Sequence, residues 1–273
     1  MQTEKVHFIK EKETLLATLY ARALESQSKD PTLRDPAAEE AIRRIDYDFA
    51  KFKMSSTDIL GIVSRAKLFD LWTEEYLANT PNSIMLHLGC GMDSRVFRIN
   101  PPSTVLWFDV DYPEVIELRR RLFPEQVGYH MIGSSVTATE WLDEIPTDRP
   151  ALILAEGLLM YLSANDVPLL LERLVNHFPG GQLIFDAVSP MGIRMQKSNK
   201  AVAASGATLG WGLDDPHELE RRIPRLKLIT EMTAVDPNLP GIHKASAGTR
   251  MTLGILKLFP ALRRLAMMLR YQF

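Results

Sequence analysis

Two groups of residues in the middle of the chain have types and spacings suited to holding a nucleoside. The first is the glycine-rich stretch His87-Leu-Gly-Cys-Gly-Met-Asp-Ser-Arg95, directly after the apolar run Ile84–Leu88. The second is Asp109 and Asp111, which end the next apolar run, 18 and 20 residues beyond Gly91. A glycine-rich turn lets the backbone approach a ligand, and a carboxylate at the tip of the following strand accepts hydrogen bonds from ribose hydroxyls. The pattern therefore predicts an adenosyl ligand.

Other interpretations of these residues remain open at this point. In a dinucleotide-binding fingerprint a third glycine would stand at Ser94, so its absence argues against NAD and against a nicotinamide-dependent oxidoreductase. Asp109 and Asp111 could instead cap a helix that begins near Pro113.

A parallel sheet is predicted to position these residues. From Ser83 onward, short apolar runs alternate with helical stretches, which is typical of a doubly wound α/β sheet buried on both faces. A sixth strand is predicted at Leu226–Met232, and the tail from Arg263 is either a seventh strand or part of a basic amphipathic helix. The five central strands are predicted at Ile84–Leu88, Val105–Val110, Gly128–Ile132, Leu152–Ala155 and Leu183–Val188.

The first eighty residues have helical periodicity. Apolar residues recur at helical spacing between Leu15 and Leu24, and again at Ile42, Ile45 and Phe49. A third helix is predicted from a cap at Thr57 or Asp58 to about Asn79, before Pro81. We expect one domain over 1–273: a helical lid (1–80), a cofactor-binding Rossmann-like core (81–189), a helical substrate cap inserted over the sheet (190–216) and a segment that completes the sheet (217–273).

Composition excludes several classes of protein. The 273 residues are 46% apolar, carry a net charge of −2 and include one cysteine, Cys90, so a disulfide framework, a zinc ribbon and other metal sites are not expected. The charge balance argues against nucleic acid as a partner. The longest apolar run, Ala151–Leu162, contains Glu156 and is shorter than the ~20 residues that span a bilayer. Without a visible targeting segment, we expect a cytoplasmic protein that does not bind membranes.

Three stretches resemble the leucine carboxyl methyltransferase family of class I S-adenosylmethionine-dependent methyltransferases. They are Leu88-Gly-Cys-Gly-Met-Asp-Ser-Arg-Val-Phe-Arg98, Phe108-Asp-Val-Asp-Tyr-Pro113 and Ala155-Glu-Gly-Leu-Leu-Met-Tyr-Leu162. The last is the most distinctive. Arg65-Ala-Lys-Leu-Phe-Asp70 resembles an N-terminal segment of the family, and Trp211-Gly-Leu-Asp-Asp-Pro216 resembles a piece of its substrate cap. Within the family, the branch similar to the tetracenomycin polyketide O-methyltransferase is the better match, and the resemblance covers most of the chain.

The resemblance implies roles for particular residues toward S-adenosylmethionine. Gly89 and Gly91 would pass under the cofactor, and Asp111 would hold the ribose hydroxyls. Glu156 would lie near the methionyl ammonium or the sulfonium.

The resemblance further implies that Arg65 pairs with the methionyl carboxylate and that Arg22 assists it. The alternative for Arg65 is a surface ion pair with Asp70 or Glu74.

Two positions depart from the family pattern. Ser134-Ser135-Val136 stands where the family usually has Asp-Leu, so adenine would be received by the Ser135 hydroxyl and the neighbouring Val136 without a charge. His87 stands where many methyltransferases have an acid, and its alternative is a hydrogen-bonded core histidine.

The function implied is O-methylation of a small-molecule hydroxyl or carboxylate, for example a polyketide-like phenol. The alternatives are a protein-carboxyl methyltransferase and a degenerate protein that binds S-adenosylmethionine without catalysis. His217 and His243 are the histidines in the region expected to cover the substrate. His217 can instead belong to the opening turn of a helix, and His243 can be a solvated loop residue. No catalytic base is therefore nominated, and the oligomeric state is not predicted.

Overall fold

A seven-stranded sheet forms the centre of the protein in a computed structural model that describes residues 3–6, 8, 11–196 and 206–273. The strand order is β3-β2-β1-β4-β5-β7-β6, in which β1 to β5 are parallel and β7 runs antiparallel to both of its neighbours. All five predicted central strands, the sixth strand and the α/β class are confirmed, and the tail forms the seventh strand. The strands are β1 (Ile84–Leu88), β2 (Leu106–Asp111), β3 (Tyr129–Gly133), β4 (Ala151–Ala155), β5 (Gly181–Val188), β6 (Lys227–Thr233) and β7 (Ala266–Gln272).

Helices cover both faces of the sheet. They are α1 (Glu11–Ser26), α2 (Pro36–Arg44), α3 (Ser56–Asn79), α4 (Arg95–Ile99), α5 (Pro113–Leu122), α6 (Asp166–His177), α7 (Pro190–Arg194), α8 (His217–Arg222), α9 (Ala247–Lys257) and α10 (Pro260–Arg263). Short 3-10 helices lie at Phe49–Phe52, Glu140–Glu144, Leu159–Tyr161 and Ile242–Lys244. In the described part of the chain, none of the helices has the length and apolar character needed to cross a membrane.

Alternate residues of the central strands pack on opposite faces, which explains why these strands read as unbroken apolar runs. Ile84 and Leu86 belong to the cluster that contains α6, whereas Met85 belongs to the cluster that contains α3. Every residue of β1 and of β4 is buried. Both faces of the sheet are therefore covered, as in doubly wound folds.

The N-terminal helices share an apolar cluster with the helix that follows β2. Leu16 and Leu19 of α1 pack in one buried cluster with Leu118 and Leu122 of α5. Because this cluster joins the helices to the sheet layer, residues 11–79 pack as part of the same body as the core.

The predicted helix through Ile42, Ile45 and Phe49 is shorter than its periodicity suggested. Helix α2 ends at Arg44, because Ile45 adopts an extended backbone (φ −97°, ψ 121°) and Ile45–Asp46 pairs in parallel with Glu4–Lys5. Helix α3 begins slightly before the predicted cap. Its N-cap is Ser55, and Asp58 completes a capping box as the third helical residue.

The predicted cap region lies partly against the core. Trp211 and Leu213 belong to the main apolar cluster, and the Leu213 amide donates to the Val188 carbonyl at 2.8 Å. Residues 197–205 lie outside the described part of the chain. A cap over the substrate thus stays a prediction, and Trp211 serves the core.

Candidate active site

A cavity of about 250 Å³ opens at the carboxyl ends of β1, β2 and β4. It lies where the strand order reverses between β1 and β4, the usual ligand-binding position in open α/β sheets. Residues from α1 and α3 complete its wall, so the N-terminal helices cover this edge of the sheet. Its wall includes Lys12, Leu15, Thr18, Arg22, Arg65, His87, Gly89, Gly91, Asp93, Asp111, Glu156, Leu158 and Tyr161.

The turn after β1 depends on its two glycines. Gly89 and Gly91 have φ values of +59° and +50°, in the left-handed region that favours glycine. A β-carbon at Gly89 would come within 2.7 Å of Leu158 Cδ1. The Gly89 amide donates to the Val110 carbonyl of β2 at 2.8 Å, which ties the turn to the neighbouring strand. The predicted glycine turn therefore lies in the cavity wall, in a conformation that favours glycine at both positions.

Asp111 lies beside this turn at the tip of β2. One carboxylate oxygen accepts from the Gly91 amide and the other from the Tyr112 amide, both at 2.7 Å. Burial raises the pKa of Asp111, and the two backbone donors offset only part of that rise. The capping alternative is wrong, because the N-cap of α5 is Tyr112 and it makes no side-chain cap bond.

Asp109 has a different surrounding. It is fully buried, lies 3.2 Å from His87 Nδ1, accepts from the Trp107 indole at 2.8 Å and pairs with Arg119. His87 is itself 2% exposed, so the geometry fits the core-histidine interpretation, although the residue also contributes to the cavity wall.

Arg65 joins two acids at the ends of neighbouring strands. Its Nε donates to Glu156 Oε1 at 3.0 Å, and its Nη1 donates to Asp186 Oδ2 at 2.7 Å. Burial opposes charge on Arg65, but Asp186 and Glu156 outweigh it and raise the pKa of the guanidinium. The predicted alternative, a surface pair with Asp70 or Glu74, is wrong.

The two acids bound to Arg65 have pKa values shifted in opposite directions. Burial alone would raise the pKa of Glu156, but Arg95 and Arg65 reverse this effect and lower it. Burial raises the pKa of Asp186, and Arg65 counters it only partly. Glu156 is therefore held as a carboxylate at the cavity wall.

A buried ion network behind the cavity was missed by the sequence analysis. Arg95 donates from Nε to Asp70 at 2.6 Å and from Nη2 to Glu156 at 2.6 Å, and its Nη1 lies 2.9 Å from Asp93. Arg98 binds Asp70 and Asp93 as well, so the motif after Gly91 supplies both cations. This network fixes the orientation of Glu156.

Arg22 contacts the glycine turn. Its Nη2 donates to the Met92 carbonyl at 2.9 Å, and its Nε lies 3.3 Å from Asp35 Oδ2. The side chain is 3% exposed and contributes to the cavity wall. The structure therefore brings Arg22 to the same cavity as Arg65, and its assisting role stays a prediction.

Ser135 and Val136 are not brought to the wall of this cavity. The Ser135 hydroxyl lies 2.9 Å from the Thr137 hydroxyl, and Val136 is buried in the main apolar cluster. His217 opens α8 and pairs with Glu220, and His243 lies exposed in a 3-10 helix. The part assigned to Ser135 and Val136 in adenine binding remains an untested prediction.

Comparison with known proteins agrees with these motifs. The family model of leucine carboxyl methyltransferase matches residues 15–175. The tetracenomycin polyketide synthesis O-methyltransferase TcmP of Streptomyces glaucescens is 45% identical over 261 residues, which are 96% of this chain and 96% of that protein. The S-adenosyl-L-methionine-dependent methyltransferase dpfgK of Gibberella zeae is 35% identical and covers 82% of each chain.

Solved structures share the fold at low sequence identity. A Thermobifida fusca YX protein described as a methyltransferase superposes with a TM-score of 0.61 at 17% identity, covering 97% of this chain and 94% of that one. A DUF574 family protein of Streptomyces avermitilis has a TM-score of 0.60 at 12% identity, with 95% and 96% covered. The family match, the relatives and the motifs at the cavity lead to one conclusion: the chain belongs to the leucine carboxyl methyltransferase family.

Proposed function

We propose that the protein transfers a methyl group from S-adenosylmethionine to an oxygen atom of a small-molecule acceptor. The observation that carries this proposal is one cavity wall that combines the glycine turn, the Asp111 carboxylate and the Arg65–Glu156 pair. The names of the relatives from Streptomyces glaucescens and Gibberella zeae support both the donor and the reaction class.

The cavity offers what the nucleoside end of the donor requires. Each Asp111 oxygen already accepts one backbone bond, but a carboxylate has about four lone-pair sites. About two sites are therefore left for ribose hydroxyls. Gly89 and Gly91 belong to the same wall and present no side chain to a ligand there.

The methionyl end requires both signs of charge, and the wall supplies them. Arg65 offers a guanidinium for the carboxylate, and Glu156 offers a carboxylate for the ammonium. Because Arg95 also binds Glu156, the acid stays ionised and fixed in position. The residues present thus fit the donor.

When bound, S-adenosylmethionine supplies a methyl group on a positively charged sulfur, which keeps the bonding pair and becomes a neutral thioether as the acceptor oxygen takes the methyl. The protein's task is then orientation, which can lower a barrier by roughly 7–11 kcal/mol. A carboxylate acceptor needs no base, whereas a phenol or alcohol benefits from one.

We propose that the whole chain works as one methyltransferase domain. Helix α1 contributes Leu15 and Thr18 to the cavity wall, which supports the interpretation of the N-terminal helices as its cover. A cytoplasmic location belongs to the same proposal and is supported by the single, buried cysteine, Cys90.

The alternatives have less support. Ser94, where a dinucleotide fingerprint has its third glycine, is buried and hydrogen-bonded to Asp35 through its side chain. A protein-carboxyl acceptor remains the competing substrate class, and the Streptomyces relative's name, which refers to polyketide synthesis, favours a small molecule.

Methyl transfer to a defined panel tests the proposal. The protein is incubated with tritium-labelled S-adenosylmethionine and a set of phenols and aromatic carboxylic acids, and label is counted in the organic extract. Label should enter at least one acceptor, and alkali should release it from an ester but not from an ether. Calorimetry that detects no binding of S-adenosylmethionine or S-adenosylhomocysteine would contradict the proposal. Binding without transfer to any acceptor would favour the degenerate alternative.

A further inference from the structure

A second cavity, of about 210 Å³, lies on the other side of Arg65. It is enclosed by α3, α9, the start of β7, Asp186 of β5 and the segment 234–242. Apolar side chains form most of its wall, among them Leu60, Leu239, Leu253 and Met268. Such a cavity suits an apolar molecule, because it offers little to a charged one except at one point.

That point is the floor of the cavity, where Arg65 and Asp186 lie. Arg65 contributes to the walls of both cavities, and its ion-pair partner Asp186 contributes to the wall of the second. A ligand in the second cavity therefore places any polar end against the same guanidinium that borders the first.

The hydroxyl of Ser64, the residue before Arg65, is the second polar feature of this cavity. The residue is 2% exposed and contributes to the wall, and its Oγ has no hydrogen-bond partner. A buried hydroxyl left unpaired costs free energy, so proteins rarely keep one without a partner. A ligand oxygen at this position would supply the missing bond.

Gly61 marks the opening of the cavity to solvent. It lies inside α3, where glycine is the poorest helix former after proline, and its φ is not in the left-handed region. A β-carbon at Gly61 would meet nothing within 4 Å. Gly61, Thr57 and Ala234 are exposed, whereas Ser64 and Met268 are buried, so the cavity runs from a solvent-facing mouth to the Arg65 floor.

We propose that this second cavity holds the methyl acceptor, a small aromatic molecule whose hydroxyl or carboxylate oxygen bonds to Ser64 and faces Arg65. The inference rests on the proposed function and adds the place and the chemical class of the acceptor. The donor enters the polar cavity, the acceptor enters at Gly61, and the reacting oxygen meets the donor methyl beside Arg65, the residue that lines both cavities.

A large side chain at Gly61, which would block the opening of the cavity, tests this assignment. The probe is 1-hydroxy-2-naphthoic acid, a two-ring molecule with both oxygen functions, titrated into the folded protein by fluorescence. Gly61→Trp should weaken probe binding at least tenfold. Gly254→Trp is the matched control, since Gly254 is an exposed helical glycine with nothing within 4 Å of its β-carbon and is not in the cavity wall. It should bind as the wild type does.

Ser64→Ala separates a ligand role from a structural one. Loss of one hydrogen bond should weaken probe binding about three- to tenfold. The thermal midpoint should not fall, because the Ser64 hydroxyl has no partner in the protein. A lower midpoint with unchanged probe binding would assign Ser64 to the fold and overturn its part in the proposal.

Calorimetry with S-adenosylhomocysteine on the same proteins distinguishes this inference from the proposed function. All variants should keep their affinity for S-adenosylhomocysteine within about twofold, because the polar cavity is unchanged. Equal probe binding by the wild type and Gly61→Trp, or no saturable probe binding by the wild type, would overturn the acceptor site even if S-adenosylhomocysteine binds. If the wild type binds the probe but does not bind S-adenosylhomocysteine, the proposed function is overturned.

Discussion

The two cavities that meet at Arg65 are built in opposite ways. The polar cavity is made mainly by the turns at the tips of β1, β2 and β4, is covered by α1 and α3, and is surrounded by buried ion pairs. The apolar cavity lies between α3, α9, β5, β7 and the segment 234–242, and its described wall has few polar groups besides Ser64 and the Arg65–Asp186 pair. A fixed set of charges can select one charged molecule, whereas an apolar wall selects by shape. The first arrangement suits a common donor, and the second suits an acceptor that differs among relatives.

The largest effect is expected from removing Arg95, the centre of the ion network beside the polar cavity. Arg95→Met should lower the free energy of unfolding by about 3–5 kcal/mol, because Asp70, Asp93 and Glu156 would lose a buried partner. Chemical denaturation measures the change.

Arg149→Met is the matched control, since Arg149 pairs with Asp148 at the surface. It should leave the denaturation midpoint unchanged. Equal midpoints for Arg95→Met and the wild type would contradict a network that holds the polar cavity.

Asp111→Asn should weaken S-adenosylhomocysteine binding by about tenfold to a hundredfold, the equivalent of about one charge-assisted hydrogen bond. Calorimetry measures the affinity, with Asp148→Asn at an exposed site as the control. An unchanged affinity would remove Asp111 from the donor site.

The same variant tests the raised pKa of Asp111 through the pH dependence of stability. Burial raises the pKa of Asp111 above its ordinary 3.8, so the folded state holds this proton more tightly than the unfolded state. The stabilising contribution is present below 3.8 and is lost as pH rises through the raised pKa. At pH 7 the ionised group costs stability, whereas asparagine loses one of the two backbone bonds at every pH. The thermal midpoint of the wild type, measured against that of Asp111→Asn, should therefore fall as pH rises through the raised pKa, and a difference that does not change with pH would contradict the raised pKa.

Gly89→Ala should destabilise the protein by about 1–2 kcal/mol, because alanine is disfavoured at a φ of +59°. The added carbon would also press on Leu158, which belongs to the cavity wall, so S-adenosylhomocysteine binding should weaken as well. Thermal unfolding and calorimetry measure the two effects. Wild-type values in both would show that the turn does not need its glycine.

Gly61→Ala should have the smallest effect and the opposite sign. A helical φ and free space around the β-carbon predict a gain of about 1 kcal/mol in unfolding free energy, with S-adenosylhomocysteine affinity unchanged. A loss of stability would show that this glycine serves packing and would contradict its place at an open mouth.

Strand positions were predictable because the sheet is buried on both faces, so that runs such as Ile84–Leu88 contain few polar residues. The prediction of a helix through Phe49 was wrong, since helical spacing cannot show that Ile45 pairs with an N-terminal strand. Asp186 could have been found, because it is an acid within the apolar run of β5, the same signal that identified Glu156.

Other parts of the site had no local signal. Arg95 and Arg98 were visible in the motif after Gly91, but their partners Asp35 and Asp70 lie far away in sequence. Ser135 was chosen by its place in a family pattern, which does not report side-chain direction. The apolar cavity joins residues from Thr57 to Met268, more than two hundred positions apart, and periodicity cannot reveal such contacts.

A crystal structure of the protein with S-adenosylhomocysteine tests the central claim most directly. We predict ribose hydroxyls on the Asp111 carboxylate, the amino acid end beside Arg65 and Glu156, and no part of the ligand in the apolar cavity. Ligand density in the apolar cavity, or a bound nucleoside that does not contact Asp111, would contradict the division of the site into a polar donor cavity and an apolar acceptor cavity.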